Sequence, residues 1–207
     1  MDAILADNLT KRYDGAGVLD GVTLAVPEGG RVVVLGPTGA GKTTLLFLLA
    51  GLLRPDAGTV RLFGRAASGN CVFVPPDKRS IGMVFQRALL WPHMNAGENV
   101  AFVLGQLDIS ASDRRARVEA ALDLFGVRDL AKRRPDTLSG GQVQRVALAR
   151  SVAASPRILL WDEPFTGLDA ATRSEVAARA LDFGVRTATT LVAVSHNAPY
   201  VEKQVRF

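Results

Sequence analysis

The sequence has little of what disulfides, metal clusters or membrane spans require. A single cysteine, Cys71, stands in 207 residues, which excludes an intrachain disulfide and any multi-cysteine metal site. The longest apolar run, Leu45 to Leu53, has nine residues, well short of the about 20 that span a bilayer. The first residues, MDAILADNLTKRY, carry two acids and no apolar segment, so no signal peptide is expected. These absences point to a soluble, cytosolic chain. What is present is ordinary for a globular protein: 48% hydrophobic and 22% charged residues, which excludes a disordered chain. A chain of this length buries roughly 70% of its unfolded surface, enough for one domain, or one with a small attached lobe, to hold a core unaided.

The net charge of +5 permits nucleic acid, nucleotides or anionic surfaces as partners and selects none of them. Short basic clusters occur at Lys78–Arg79, Arg114–Arg117 and Lys132–Arg134. The last two read as solvated helix faces.

Strand, helix and turn signals divide the chain. Residues 3–13 and 18–26 read as strands about a glycine-containing turn, and Pro27-Glu28-Gly29-Gly30 as a second turn. Arg31–Leu35 reads as a strand buried on both faces. Lys42–Leu52 reads as a helix, and residues 58–63 and 71–74 as strands. Residues 87–137 have helical patterning, with Val118, Ala121, Leu122 and Phe125 on one face. This predicts a helical lobe inserted into an α/β core. Buried strands at 157–162 and 190–195 flank a helix over 170–183. The alternation predicts a largely parallel sheet covered by helices.

Three segments carry chemistry. GPTGAGKTT, residues 36–44, fits G-x-x-x-x-G-K-[ST] between a strand and a helix. Its members are Gly36, Pro37, Thr38, Gly39, Ala40, Gly41, Lys42, Thr43 and Thr44. The glycines let backbone N–H groups approach a phosphate chain, and the helix N-terminus adds partial positive charge. Lys42 suits the β/γ phosphates and the Thr43 hydroxyl suits Mg²⁺. The bland alternative is a glycine-rich turn with a chance Lys-Thr.

The second segment is ILLWDE, residues 158–163. It sets Asp162 and Glu163 at a strand's carboxyl end, where open α/β sheets bind ligands. Because successive strand residues point apart, the two acids can take two roles: Asp162 on Mg²⁺, Glu163 toward an attacking water. A solvated acid pair is the alternative. The third segment is LSGGQ, residues 138–142. Ser139 can cap a helix and Gln142 complete a capping box. Two glycines in the first helical turn are poor helix formers, and they suit an anion that must approach the backbone closely. With one phosphate loop in the chain, that phosphate would belong to another subunit.

These motifs, with Gln86, GLD at 167–169 and His196 in order, resemble the nucleotide-binding subunit of an ABC transporter across nearly the whole chain. The resemblance implies a P-loop NTPase core with a mixed, largely parallel sheet, an antiparallel β-subdomain and an inserted helical lobe. It implies one ABC-type ATPase domain over 1–207, with 1–86 and 156–207 as the core and 87–155 as the lobe and signature helix. Two subunits would pair head to tail around two ATP molecules. Tyr13 matches the aromatic that stacks on adenine, and Gln86 the glutamine that senses Mg²⁺ and water. Glu163 matches the general base and His196 the histidine on the γ-phosphate. Ser139, Gly140, Gly141 and Gln142 would contact the partner's ATP, and Asp169 would couple the two sites.

Residues 75–99 resemble the importer branch, which serves sugars, polyamines, sulfate, iron or thiamine. There the residues Arg87, Leu89, Leu90, Trp91 and His93 would lie near a membrane permease; the alternative is packing inside the lobe. The implied assembly is a homodimer of ATPase subunits on a permease at the cytoplasmic face of the membrane, with a solute-binding protein as a possible third component. An export ATPase, or a soluble ATPase acting on nucleic acid or ribosomes, is the rival, although nucleic acid is not expected as a partner. Two departures stand out. Trp161 occupies a place where the family has a smaller aliphatic residue. Only 11 residues follow His196, where relatives usually continue through further elements and sometimes a regulatory domain. The short end fits poorly with the sugar and polyamine subtypes, and a truncated chain would also account for it.

Overall fold

In the computed structural model the described residues are 1–69 and 71–195, with the backbone of 203–206. Two sheets form. The first is antiparallel, built from β1 (Asp2–Tyr13), β2 (Ala16–Pro27), β4 (Ala57–Leu62) and β5 (Arg65–Ser68) in the order β2-β1-β4-β5. The second contains β3 (Arg31–Leu35), β6 (Ile81–Val84), β7 (Ile158–Asp162), β8 (Thr190–Val194) and β9 (Lys203–Arg206) in the order β6-β7-β8-β3-β9. Every pairing in this second sheet is parallel. Antiparallel pairing is thus confined to the smaller sheet.

Five α-helices accompany the sheets among the described residues: α1 (Lys42–Ala50), α2 (Ala96–Phe102), α3 (Ala111–Leu124), α4 (Gly140–Ala153) and α5 (Ala170–Thr187). The expected helix over 42–52 stops at Ala50, because Gly51 turns left-handed at φ 77° and closes the C-terminus with its N–H on Leu48 O. The helix expected over 170–183 runs one turn further. Residues 71–74 do not form the expected strand; only Phe73 makes an isolated bridge, to Ser68. The strand is β5 instead, whose small, polar sequence RAAS carries no apolar alternation to announce it. The short strand β6 was not expected either, since IGMV lacks period-2 patterning.

Side-chain alternation along the parallel strands divides the interior in two. Val33, Leu159, Trp161, Leu191 and Ala193 face a cluster shared with α2, α3, α4 and α5. Val32, Val34, Ile158, Leu160, Val192 and Val194 face a second cluster shared with α1 and the antiparallel sheet. A parallel sheet covered on both sides needs near-continuous apolar runs, and β3, β7 and β8 each carry four apolar residues in a row. Trp161 fits the first cluster at 1% exposure. Its indole N–H donates to Ser151 Oγ at 3.2 Å, and Phe165 stands edge-on at 6.3 Å. The large residue is therefore accommodated by α4.

Of the basic clusters, Lys78–Arg79 is not a solvated face at Arg79. That guanidinium is 4% exposed and makes five hydrogen bonds. It donates to the carbonyls of Leu48 and Leu49 at the end of α1, to Ala67 O and Val74 O, and to Ser68 Oγ. Burial lowers its pKa to about 10, so it remains a cation at neutral pH. The carbonyl dipoles of the helix C-terminus stand in for a counter-ion. Arg79→Met would strip donors from several buried carbonyls at once, and we expect a loss of about 2–4 kcal/mol. A urea titration reads this as a lower midpoint at unchanged slope.

Candidate functional site

The parallel register brings the carboxyl ends of β3, β6, β7 and β8 to one edge. β3 leads into the loop over 36–41, β6 toward Gln86, β7 ends at Asp162 and β8 at Val194, which is opposite Asp162 in the ladder. A cavity of about 310 Å³ opens at this edge. Thr38, Gly39, Gly41, Lys42, Thr43 and Thr44 line one side of it. Gln86, Asp162 and Glu163 line another, and Tyr13, Val18 and Val194 complete it. Tyr13 is exposed at the end of β1 and brings the antiparallel sheet to the site.

The loop is built for close approach. Gly41 has φ +85°, and a Cβ there would stand 2.6 Å from Val18 O on β2. Glycine is therefore required both for the turn and for packing the loop against the antiparallel sheet. α1 starts at Gly41 without any side-chain cap. The other four helices are capped, by Asn95, Ser110, Ser139 and Asp169. The first-turn N–H groups of α1 are therefore left to the backbone and to an incoming anion. Lys42 is 7% exposed and donates to Gly36 O and Pro37 O, both at 2.8 Å. Its ammonium is folded over the loop that a phosphate chain would fill.

Thr43 Oγ1 donates to Asp162 Oδ2 at 2.7 Å and joins α1 to β7. Asp162 is 2% exposed, and this burial raises its pKa above the usual carboxylate range, opposed by the Thr43 hydrogen bond and by Lys42. The pair fits a hydrated Mg²⁺: one hydroxyl and one carboxylate oxygen, side by side, on a buried charge short of neutralisation. Among the described residues no group of three or more His, Cys, Asp or Glu could hold a metal. Mg²⁺ suits this sparse set because it keeps several waters and shares phosphate oxygens.

Glu163 does not obey the strand alternation expected of it. It lies one residue past β7, with φ +47° and its N–H on Val194 O at 3.0 Å. This left-handed turn is costly for a residue with a Cβ, and it brings both acids to the same cavity. The next residue, Pro164, offers its carbonyl to the buried Gln144 amide at 2.9 Å, so α4 braces the turn. Gln144 escaped the sequence reading, since a glutamine in a helix carries no signal of its own. Val18 and Val194 escaped it for the same reason.

Ser139, Gly140, Gly141, Gln142 and Asp169 do not line this cavity. The expected capping box is present: Gln142 N–H donates to Ser139 Oγ, and Ser139 N–H to Gln142 Oε1. The two glycines differ. A Cβ on Gly141 would meet Leu168 Cδ2 at 3.1 Å and Gly167 O at 3.3 Å, so this glycine has an intrachain packing reason that its sequence context did not disclose. A Cβ on Gly140 would meet nothing within 4 Å, and both Ser139 and Gly140 are exposed. Asp169 caps α5 by accepting from Thr172 N–H at 3.0 Å. Hydrogen bonds from Thr172, side chain first and then backbone, lower its pKa. His196 lies outside the described residues. His93, Leu89 and Phe102 are exposed on the lobe. A larger hollow of about 890 Å³ lies between α2 and α3 and contains none of the residues of the three motifs.

The profile of the ABC transporter family matches residues 19–166. The Fe(3+) ions import ATP-binding protein FbpC 1 of Rhodococcus jostii is 43% identical over 202 residues, 95% of this chain and 56% of that protein. The spermidine/putrescine import ATP-binding protein PotA of Pseudomonas aeruginosa is 42% identical over 190 residues, 92% of this chain and 51% of that protein. The chain thus spans about half the length of the curated relatives it matches. Among solved structures, the dimeric post-hydrolysis state of the ATP-binding cassette MJ0796 bound to ADP and Pi superimposes with a TM-score of 0.90 at 30% identity. That match covers 99% of this chain and 94% of the cassette.

The raised pKa of Asp162 gives a test of the site in the nucleotide-free chain. A carboxyl with a folded pKa above its unfolded value destabilises the fold at neutral pH, and stability returns as pH falls through the folded pKa. Asp162→Asn should therefore raise the melting temperature of the nucleotide-free protein at pH 7, and that gain should shrink as pH falls through the folded pKa toward the unfolded one. The same variant should lose the Mg²⁺-dependent part of any stabilisation by nucleotide. A melting temperature that falls at pH 7 would overturn the assignment of a buried, uncompensated carboxylate.

Proposed function

Since the chain belongs to the ABC transporter family, we propose that it is the ATP-hydrolysing subunit that powers solute movement through a partner membrane permease. The observation that carries this reading is the single cavity in which an uncapped, lysine-bearing helix start meets a metal-suited Thr43–Asp162 pair, with Gln86 and Glu163 facing the same space. The import roles of the bacterial relatives support import as the direction. No helix among the described residues is long and apolar enough to cross a membrane. We place the subunit at the cytoplasmic face of the membrane, with a solute-binding protein as the further component of an importer.

The chain acts as one ATPase domain, with 1–86 and 156–207 as the core and 87–155 as the lobe and signature helix. Tyr13 stacks on adenine. The backbone of 36–44 wraps the phosphates, and Lys42 turns from its two carbonyl partners to the β/γ oxygens. Thr43, Asp162 and Gln86 hold Mg²⁺. When bound, the metal offsets phosphate charge and orients the γ-phosphoryl group. Glu163 accepts a proton from water as the new O–P bond forms and the bond between the γ-phosphorus and the ADP oxygen breaks. His196 contacts the γ-phosphate. Ser139, Gly140, Gly141 and Gln142 complete the site of a second subunit in a head-to-tail homodimer, and Asp169 couples the two. The capped but open-faced start of α4, exposed away from its own cavity, supports that pairing.

Lys42→Ala should abolish turnover and weaken ATP binding at least tenfold, with the circular dichroism spectrum unchanged. A fluorescent ATP titration measures this, and unaltered affinity and turnover would sink the phosphate-loop assignment. Glu163→Gln keeps the shape and loses the base, so ATP stays bound and a dimer accumulates with Mg-ATP. Ser139→Arg added to that variant should dissolve the dimer while leaving ATP on the phosphate loop. Sedimentation velocity reads both, and a dimer indifferent to Ser139→Arg contradicts the shared site.

A further inference from the structure

The lobe holds a buried cation whose placement the proposed reaction does not use. Arg150 lies in the last turn of α4 and is 8% exposed. Its hydrogen bonds run to two main-chain carbonyls: Nη1 donates to Leu89 O at 2.9 Å and Nη2 to Ala88 O at 3.0 Å. The guanidinium also stands 4.9 Å from the ring centre of Trp91. A planar fork serves two carbonyls and an indole face at once, which a lysine cannot do. Burial pulls the Arg150 pKa down from its ordinary value.

The carbonyls it holds belong to a strained turn. Leu89 has φ +44°, a region that an L-residue with a branched side chain avoids. In this conformation the Leu89 carbonyl is bound by Arg150 while the Leu89 side chain is 58% exposed. From the other side Asn99, fully buried on α2, accepts from Trp91 N–H at 2.8 Å and donates to Trp91 O, Met94 O and Asn95 O. Trp91 in turn packs against Phe102, with ring centres 4.2 Å apart and planes tilted by 43°. The turn begins two residues after Gln86, which lines the nucleotide cavity. Arg150 therefore joins three things: the helix that starts at Ser139, the strained turn, and the segment leading from Gln86.

We propose that Arg150 is a positioning residue that holds the 88–91 turn in its left-handed form, so that Gln86 and the start of α4 are set in register for hydrolysis. This rests on the reading of the cavity as an ATPase site and adds to it a mechanical link from signature helix to cavity. Nucleotide binding does not depend on the link, since Tyr13, Lys42 and Thr43 lie on elements that Arg150 does not touch. Turnover does depend on it, because Gln86 lies two residues before the turn that Arg150 secures.

The test is a rescue. Arg150→Lys keeps the charge and loses the fork, and should lower kcat, counted per ATP-binding site, about five- to tenfold with the ATP dissociation constant unchanged within about twofold. Leu89→Gly introduces a residue that takes positive φ without steric cost, so adding it to Arg150→Lys should restore most of the lost kcat. A residue needed only for general stability would lower the melting temperature, leave kcat per binding site intact, and gain nothing from a glycine. Full kcat in Arg150→Lys beside an active wild type overturns the inference alone, as does a loss that Leu89→Gly fails to repair. A wild-type chain that binds ATP but never turns it over overturns the reading of the site, and the link falls with it.

Discussion

The hydrogen bond from Thr43 to Asp162 is the contact on which the rest of the site depends. It is one 2.7 Å bond between residues 119 positions apart, from the first turn of α1 to the last residue of β7. Around it the fold has two jobs. The parallel sheet sets four strand ends at one edge, and the antiparallel sheet leans Tyr13 and Val18 over that edge. Asp162 meets a desolvation penalty there that one hydroxyl and a neighbouring ammonium offset only in part. A buried carboxylate left in this state is a demand for a cation. The raised pKa of Asp162 and its suitability for a hydrated metal therefore have the same physical origin.

A second regularity concerns how the pieces are locked together. Arg79, Arg150, Asn99 and Gln144 are all buried, and each spends its donors largely on main-chain carbonyls. The ion pairs of the described residues lie at the surface instead, such as Arg128–Glu119 and Arg179–Glu175. Surface pairs contribute little, about 0–1 kcal/mol each. Carbonyl locks act differently, because they hold backbone in one conformation and are costly to leave unmade. They sit where the chain is irregular: the end of α1, the turn over 88–91, and the residue after Glu163. Irregular backbone around the cavity is thus held by side chains from regular elements, as precise geometry on loops requires.

Much of this was legible in the sequence, for physical reasons that can be named. The strands at 31–35, 158–162 and 190–194 are apolar at four consecutive positions each, and burial on both faces accounts for that pattern. GPTGAGKTT and LSGGQ announce helix starts through glycine and capping chemistry that few other contexts need. What stayed hidden was decided by tertiary contact. RAAS pairs with β4 although nothing in it alternates. Arg79 gives no sign of burial in the sequence, because the carbonyls it serves at the end of α1 are some 30 residues away. Gly141 reads as an anion cradle until Leu168 is found against it. The strand rule set Asp162 and Glu163 on opposite faces, and a left-handed turn at Glu163 overrode it. That turn cannot be read from a glutamate, which carries no signal for positive φ as glycine or asparagine would.

The two anion-ready helix starts are not equivalent, and the difference bears on how a dimer would work. α1 begins without a side-chain cap, inside its own cavity, with a lysine folded over it. α4 begins fully capped by Ser139 and Gln142, at the surface, with Gly140 open and Gly141 packed on the loop that carries Asp169. An uncapped start holds a ligand by itself. The capping box serves the N–H groups of Ser139 and Gln142, two of the four at a helix start, so a phosphate arriving there finds half the donors that an uncapped turn offers. Such an end suits a surface that recognises a phosphate already gripped by another chain and has weak affinity for free phosphate. Gly141 lies close to Leu168 and Gly167, so α4 begins against the loop that leads to Asp169, with no room there for a side chain.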